Sequence, residues 1–453
     1  MDIKELIKNI TYPYLPARIR YPYIFWKYYK FLNESKRWDY TRLKEYQWNQ
    51  LKKLINFAYE NTAYYKRKFA EHGITPQNIK DFDDFSQKVP LLTKNDIKTN
   101  LNEMIALPKH KLEYVTTGGT TGIPLGFYIE KRKTYPATFA FEWRQFNEGG
   151  YYFGDKVAIL RGRIIKNNWF EYDKKDNALY LSVFDMTEDN LPKYIKMLKE
   201  FKPKHIRAYP SAIEHLAKFI SEYDEHFNDA GWLVSIFTSS ETLYDYQRII
   251  IEQAFKCPVF NKYGNSEQCT IIGQCKEMFH HEYMEYSYTE YVRTQNCNDS
   301  KNHYNLISTS FVNYATPFIR YVTDDIVEMK DKTHEQCSCG MWHRKVKKII
   351  GRTQDYLIAK NDEKISVAAI NTHSDAFDNV MQFRYVQKTK GQAIIEIIKG
   401  EHYTETDEAK IINEATFRTK GKITFEIKYV DDIPLTQSGK KTFIVNMIER
   451  NNG

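Results

Sequence analysis

Residues 116–124 read Thr116-Thr117-Gly118-Gly119-Thr120-Thr121-Gly122-Ile123-Pro124 and lie between strand-like runs at 111–115 and 125–129. Glycines let backbone N–H groups approach an anion closely, and threonine hydroxyls add donors, so the segment has the chemistry of a loop that wraps phosphate oxygens. A plain Gly/Thr hairpin turn fits the same letters. The Gly-Lys-Ser/Thr ending of a P-loop is missing, which excludes the common NTPase reading.

Outward from this loop the pattern is mixed. Downstream, β-rich runs such as 156–160 and 233–238 alternate with helical runs such as 191–201 and 212–223. That alternation predicts an α/β domain with a substantially parallel sheet. Upstream the chain is mainly helical: Leu43, Leu51, Leu54, Ile55 and Ala58 recur near helical spacing, and Thr93 with Asp96 makes a capping box. After Gly351-Arg352 the apolar runs 393–398 and 423–430 flank a helical stretch at 405–417, a compact α+β appendage. The expected division is a large domain over 1–350, opening with a helical aromatic extension at 1–60, and a small lid over 351–453.

Composition narrows the function. Lys and Arg outnumber Asp and Glu by 66 to 58, and a net +8 over 453 residues is a weak field rather than a nucleic-acid-binding stripe. Residues 1–10 lack the apolar core of a secretory signal, and no apolar run approaches the ~20 residues of a membrane span, so a cytoplasmic location is expected. Tyr12, Tyr14, Tyr21, Tyr23, Phe25, Trp26, Tyr28 and Tyr29 stand among basic residues. Such a stretch can rest on a membrane interface or pack across the main domain. The six Cys cluster between 257 and 339, which in a cytosolic chain suggests metal before disulfides.

Four further segments carry chemistry. Tyr263-Gly264-Asn265-Ser266-Glu267 offers an aromatic and a glycine for a flat base, then a hydroxyl and a carboxylate for a phosphate and its magnesium ion. Pro317-Phe318-Ile319-Arg320-Tyr321-Val322-Thr323-Asp324-Asp325 ends in acids suited to ribose hydroxyls. Gly351-Arg352-Thr353-Gln354-Asp355 suits a hinge, and Lys440 on a Ser438-Gly439 turn suits a mobile cation. Each alone is ordinary.

In this order, over residues 116–440, the segments resemble the adenylate-forming superfamily of acyl-CoA synthetases, peptide-synthetase adenylation domains and luciferases. Ala58-Tyr59-Glu60-Asn61, Val89-Pro90-Leu91-Leu92-Thr93-Lys94, Tyr209-Pro210-Ser211 and Cys337-Ser338-Cys339-Gly340 look like its phenylacetate–CoA ligase and capsule-biosynthesis CapK branch. The resemblance implies an ATP-dependent ligase that converts a carboxylic acid to its acyl-adenylate and passes the acyl group to coenzyme A or to an amine, in the latter case in surface polysaccharide synthesis. Thr117, Gly119, Thr120, Thr121 and Gly122 would hold phosphates, and Tyr263 and Gly264 would flank adenine. Ser266 would meet the α-phosphate, Glu267 would bind magnesium and Asp325 would take the ribose. Ser240 and Glu241 would border the nucleotide and, with Ser239, Trp143 and Tyr209, the acid pocket. Arg352 would lie at the hinge and Lys440 would bridge carboxylate and α-phosphate.

The family's Thr-Gly-Asp is here Thr323-Asp324-Asp325, and the usual Thr of the adenine segment is Ser266. Asp324 next to a polyanion leaves open an inactive nucleotide-binding component of a polysaccharide assembly complex. Cys275, His281, Cys337 and Cys339 fit a closed, structural zinc site within 269–340, with His280 and Cys269 as rival ligands.

Overall fold

The computed structural model of the protein describes residues 17–117, 125–187, 189–293, 302–329, 335–349, 356–366, 370, 375–377, 379–400, 402–433 and 444–448. The helices that matter for the site are α1 (Tyr23–Ser35), α2 (Tyr40–Asn61), α3 (Lys94–Met104), α4 (Thr134–Glu148), α5 (Leu191–Phe201), α6 (Pro210–Tyr223), α7 (Asp245–Phe255) and α8 (Glu405–Arg418). Leu43, Leu51, Leu54, Ile55 and Ala58 form the buried stripe of α2. The Thr93 and Asp96 side chains cap α3 reciprocally.

The strands of the large unit are β1 (Leu112–Thr116), β2 (Gly126–Glu130), β3 (Val157–Arg161), β4 (Phe170–Asp173), β5 (Ala178–Ser182), β6 (His205–Ala208), β7 (Ser235–Ser239), β8 (Val259–Gly264), β9 (Ile271–Gln274), β10 (His280–Glu282), β11 (Ser287–Arg293), β12 (His303–Ser310), β13 (Tyr321–Met329) and β14 (Lys345–Ile349). β1 and β2 make an antiparallel hairpin, and the others form one sheet in the order β11-β12-β13-β14-β10-β9-β8-β7-β6-β3-β5-β4. β5, β3, β6, β7 and β8 are parallel neighbours, with α5, α6 and α7 in their connections. From β8 to β11 the pairing turns antiparallel, because turns rather than crossover helices join most of these strands. The parallel sheet expected from the βα alternation is therefore half of the whole.

Of the aromatic start of the chain, Tyr12 and Tyr14 lie outside the described residues. Phe25 of α1 is buried, and Tyr21, Phe25, Trp26 and Tyr29 contact Phe139 of α4 or Phe153. Tyr23 is mostly exposed, at 78%. No helix among the described residues is long and apolar enough to cross a membrane.

β15 (Tyr356–Ile358) and β16 (Lys364–Ser366) precede a second sheet of β17 (Val380–Thr389), β18 (Gln392–Lys399), β19 (Thr424–Tyr429) and β20 (Ile444–Asn446), in the order β19-β18-β17-β20. Ile411 and Ala415 of α8 close its core over Tyr385, Ile395, Ile397 and Phe425. Phe184 of the large unit is buried in that same core. Lys420 pairs with Asp185, and the Lys98 ammonium donates to the Val380 carbonyl at 2.7 Å.

One buried ionic cluster ties α1 and α4 to the sheet. Arg144 donates to both carboxylate oxygens of Glu285, at 3.0 and 3.1 Å, and the Ser35 hydroxyl donates to the same group at 2.6 Å. Burial would raise the Glu285 carboxyl, but Arg144 holds it far below the usual carboxylate range. Its contribution to stability is therefore present above roughly pH 4 and drains away as pH falls. Removing one member leaves the other charge buried and unmatched. Glu285→Ala is expected to lower the unfolding free energy by about 3–5 kcal/mol in chemical denaturation.

Candidate functional site

Tyr263 is next to last in β8, and its hydroxyl donates to Oδ2 of Asp325 in β13 at 2.7 Å. Four residues earlier on β13, the Tyr321 hydroxyl donates to Oε1 of Glu267 at 2.9 Å. One strand thus holds both ends of the Tyr263–Glu267 turn. The turn closes on itself: the Asn265 carbonyl accepts from Gln268 N–H, and the Asn265 side chain accepts from Cys269 N–H at 2.8 Å. Glu267 is buried, Asp325 half-buried, and Gly264 and Ser266 are exposed. Burial, with Glu267 beside it, raises the Tyr321 phenol well above its ordinary value, so it stays protonated and donates. Glu267 offers one hard oxygen ligand, which with substrate phosphates suits a magnesium ion.

The segment around Leu92 joins the same strand. Leu92 exchanges backbone hydrogen bonds with Arg320 and Val322 at 3.0 Å each, a parallel bridge beside β13. The β1–β2 hairpin docks where Tyr128 N–H donates to Thr316 Oγ1 and Asn313 donates to the Tyr128 carbonyl. Thr117 is buried at the base of the Gly/Thr loop, its N–H on the Leu125 carbonyl at 2.8 Å. Gly119, Thr120, Thr121 and Gly122 lie outside the described residues, as do Arg352 and Lys440.

At the end of β7, Ser240 has a φ of 72° and turns the chain so that Glu241 reaches Ser211, whose N–H donates to its carboxylate at 3.0 Å. The Tyr209-Pro210-Ser211 and Ser239-Ser240-Glu241 segments are thus two halves of one junction. Asp324 has a φ of 61°, in the left-handed region where glycine is at ease and Asp is among the better-tolerated alternatives. Its side chain pairs with Lys94 at 3.1 Å. The substitution thus keeps the backbone turn and places the added charge against a cation.

A second cluster lies at the turns flanking β10. The ligand atoms of Cys275, His281, Cys337 and Cys339 all fall within 4.8 Å of one another. His281 Nδ1 is 3.0 Å from the His343 carbonyl, so that nitrogen carries the proton and Nε2 faces Cys339 Sγ at 3.7 Å. Gly340, with a φ of 91°, makes the tight turn between Cys337 and Met341. His280 alternates to the opposite face of β10 and Cys269 sits beside Glu267, so neither rival ligand joins the cluster. Three thiols and a correctly presented imidazole are a donor set that fits zinc.

Sequence reasoning overlooked the supporting residues. Tyr321 and Lys94 lay inside quoted segments without a role, and Lys262 stands directly before Tyr263. Their functions depend on cross-strand neighbours, which local sequence does not display.

Residues 357–447 match the CapK C-terminal domain family. The chain is 29% identical to Protein CapK of Staphylococcus aureus over 432 residues, 90% of each chain. It is 26% identical to the phenylacetate–coenzyme A ligase of Pseudomonas putida over 337 residues, 70% of this chain and 72% of the other. Among solved structures, 2-hydroxyisobutyryl-CoA ligase with a bound acyl-AMP superposes with a TM-score of 0.59 at 16% identity, covering 93% of both chains. Over most of its length the chain is thus similar to CapK and the phenylacetate–CoA ligases, and it has the fold of a solved adenylate-forming ligase.

The left-handed turn at Asp324 can be checked directly. Asp324→Ala should cost about 1 kcal/mol more than Asp324→Gly in denaturant unfolding, since both lose Lys94 and only alanine keeps a Cβ in that region.

Proposed function

We propose that this protein is an AMP-forming acid ligase: a carboxylate attacks the α-phosphorus of ATP, pyrophosphate leaves, and the acyl group passes from AMP to coenzyme A. The observation that carries the reading is the pair of hydrogen bonds from β8 and β13, Tyr263 to Asp325 and Tyr321 to Glu267. They bring together Tyr263, which would stack on the base, Asp325, which would take the ribose, and Glu267, which would bind the metal. Names of relatives, phenylacetate–coenzyme A ligase among them, support the thioester-forming half. The CapK match over most of the chain is the reason to test an amine acceptor as well, in polysaccharide synthesis. The accommodated Asp324 favours an active enzyme over an inert nucleotide-binding component.

Thr117, Gly119, Thr120, Thr121 and Gly122 would hold the phosphates, with Ser266 on the α-phosphate and Tyr263 and Gly264 against the base. Ser240 and Glu241 would border the nucleotide. Asp325, oriented by its Tyr263 contact, would accept from the ribose hydroxyls. Magnesium on Glu267, when bound, would offset charge on the departing pyrophosphate. A carboxylate approaching a phosphate meets repulsion, so the remaining work is alignment and charge neutralisation by Lys440, with Arg352 beside the nucleotide. The unit from 351 to 453 would act as the lid, turning about 351–356 to exchange Lys440 for another face between half-reactions. Cys275, His281, Cys337 and Cys339 would hold structural zinc and staple the turns flanking β10.

Lys440→Ala should slow pyrophosphate release by ~10²–10³-fold, the scale of one lost electrostatic donor; a rate equal to wild type removes that residue from the reaction. Mass detection of products, with coenzyme A and candidate amines as acceptors, decides the second half. Metal analysis of purified protein should find one zinc per chain, abolished in Cys337→Ser together with a lowered melting temperature; metal-free wild-type protein of full stability refutes the site.

A further inference from the structure

The sheet face under α4 carries cations that the adenylation chemistry does not use. Ile159, Arg207, Phe237 and Phe260 are paired neighbours across β3, β6, β7 and β8. Two residues further along, Arg161, Ser239 and Lys262 emerge on the same face. Parallel strands covered by helices are ordinarily apolar throughout, so three cations there require a reason. Glu142 of α4 accepts from Lys262 and lies 3.8 Å from Arg207, and Arg161 donates to Ser239. Glu241, the other carboxylate acting on Arg161, accepts from Ser211 N–H. Arg161, Arg207 and Lys262 therefore face Glu142 and Glu241, which leaves one positive charge in excess.

Burial would raise the Glu142 carboxyl, but Lys262 and Arg207 bring it down to about 2. Burial pushes Lys262 down, and it pushes Arg161 down together with the neighbouring Arg207. On its far side Arg207 borders a narrow cavity of about 40 Å³, lined also by Trp143, Tyr180 and the Arg20–Asp176 ion pair, whose charges offset each other. That volume holds roughly two or three waters or one carboxylate-sized group. Trp143 is 3% exposed, and its indole N–H reaches no acceptor among the described residues; neither do the Nε–H groups of Arg161 and Arg207. Buried donors left without acceptors are costly, and those of Trp143 and Arg207 border a space that an oxyanion would satisfy, with Arg161 and Lys262 further along the same sheet face.

Resting on the acid-ligase reading, we propose that the acid activated by this protein carries a second carboxylate, received by Arg161, Arg207 and Lys262 with the indole N–H of Trp143. Lys262 directly precedes Tyr263 on β8 and faces α4, on the side of the strand opposite to Tyr263. A carbon chain that crosses from the α-phosphate to that side would present its far end to these cations. An apolar acid such as phenylacetate would instead leave them desolvated and unmatched, which makes the cluster a filter as well as a receptor.

The test uses the full chain with Mg·ATP and compares malonate, succinate and glutarate with butyrate and phenylacetate, by pyrophosphate release and by thermal shift. A dicarboxylate is expected to exceed every monocarboxylate at least ten-fold in kcat/KM and to raise the melting temperature. Arg207→Gln and Arg161→Gln should each shrink that ratio at least ten-fold, with partial recovery in Arg207→Lys; if one variant does not fold, the other decides. A wild-type ratio below ten overturns the proposal, and so does a preference for phosphonoacetate over all dicarboxylates. If no acid releases pyrophosphate but dicarboxylates raise the wild-type melting temperature and not that of the variants, the anion site stands and the adenylation reading falls. No release and no such shift overturns the anion site too.

Discussion

Everything near the candidate site leans on strand β13. Its Tyr321 and Asp325 hold the two ends of the Tyr263–Glu267 turn, and its edge receives Leu92. The Thr323 hydroxyl, bonded to the Leu306 carbonyl at 2.9 Å, pins the strand to β12 between those two contacts. In both contacts a phenol donates to a carboxylate and orients it. Aromatic rings of this kind lose little conformational freedom on binding, which makes them efficient supports for groups that must not move.

The supports extend outward in layers. The parallel half of the sheet supplies ends of strands at which β7 and β8 deliver Ser240, Glu241 and Tyr263, the place where open α/β sheets hold ligands. The antiparallel half turns back on itself at the Cys and His cluster, far along the sheet from β3. Between them the Arg144–Glu285 pair anchors α4, the helix that also roofs the cationic face. Arg144 and Glu142 fall within one turn of α4, so the anchor and the cover of the cationic face share the same part of the helix.

Much of this was legible in the letters. The buried stripe of α2, the cap at Thr93 and helices such as Leu191–Phe201 follow from periodicity and local hydrogen bonding, which involve near neighbours only. The four side chains of the Cys and His cluster were recognisable from residue type, and the choice of His281 over His280 follows from strand alternation once β10 is known. The antiparallel half of the sheet was not readable, because its pairings join residues far apart in sequence. Nor was the fit of Asp324: the sequence shows a charge where glycine is usual, whereas the compensation comes from Lys94, on a helix more than two hundred residues earlier.

The small C-terminal unit meets the rest through Phe184 in its core and through Lys98 and Lys420 at its rim. An ion pair like that of Lys420 with Asp185, partly open to water, contributes no more than about 1 kcal/mol. Dissolved ions screen it within about 10 Å at 0.1 M ionic strength. The seam between the two bodies is thus soft toward electrolyte and firm toward apolar contact. Ionic strength acts on how tightly they are latched, while the hydrophobic plug keeps their alignment.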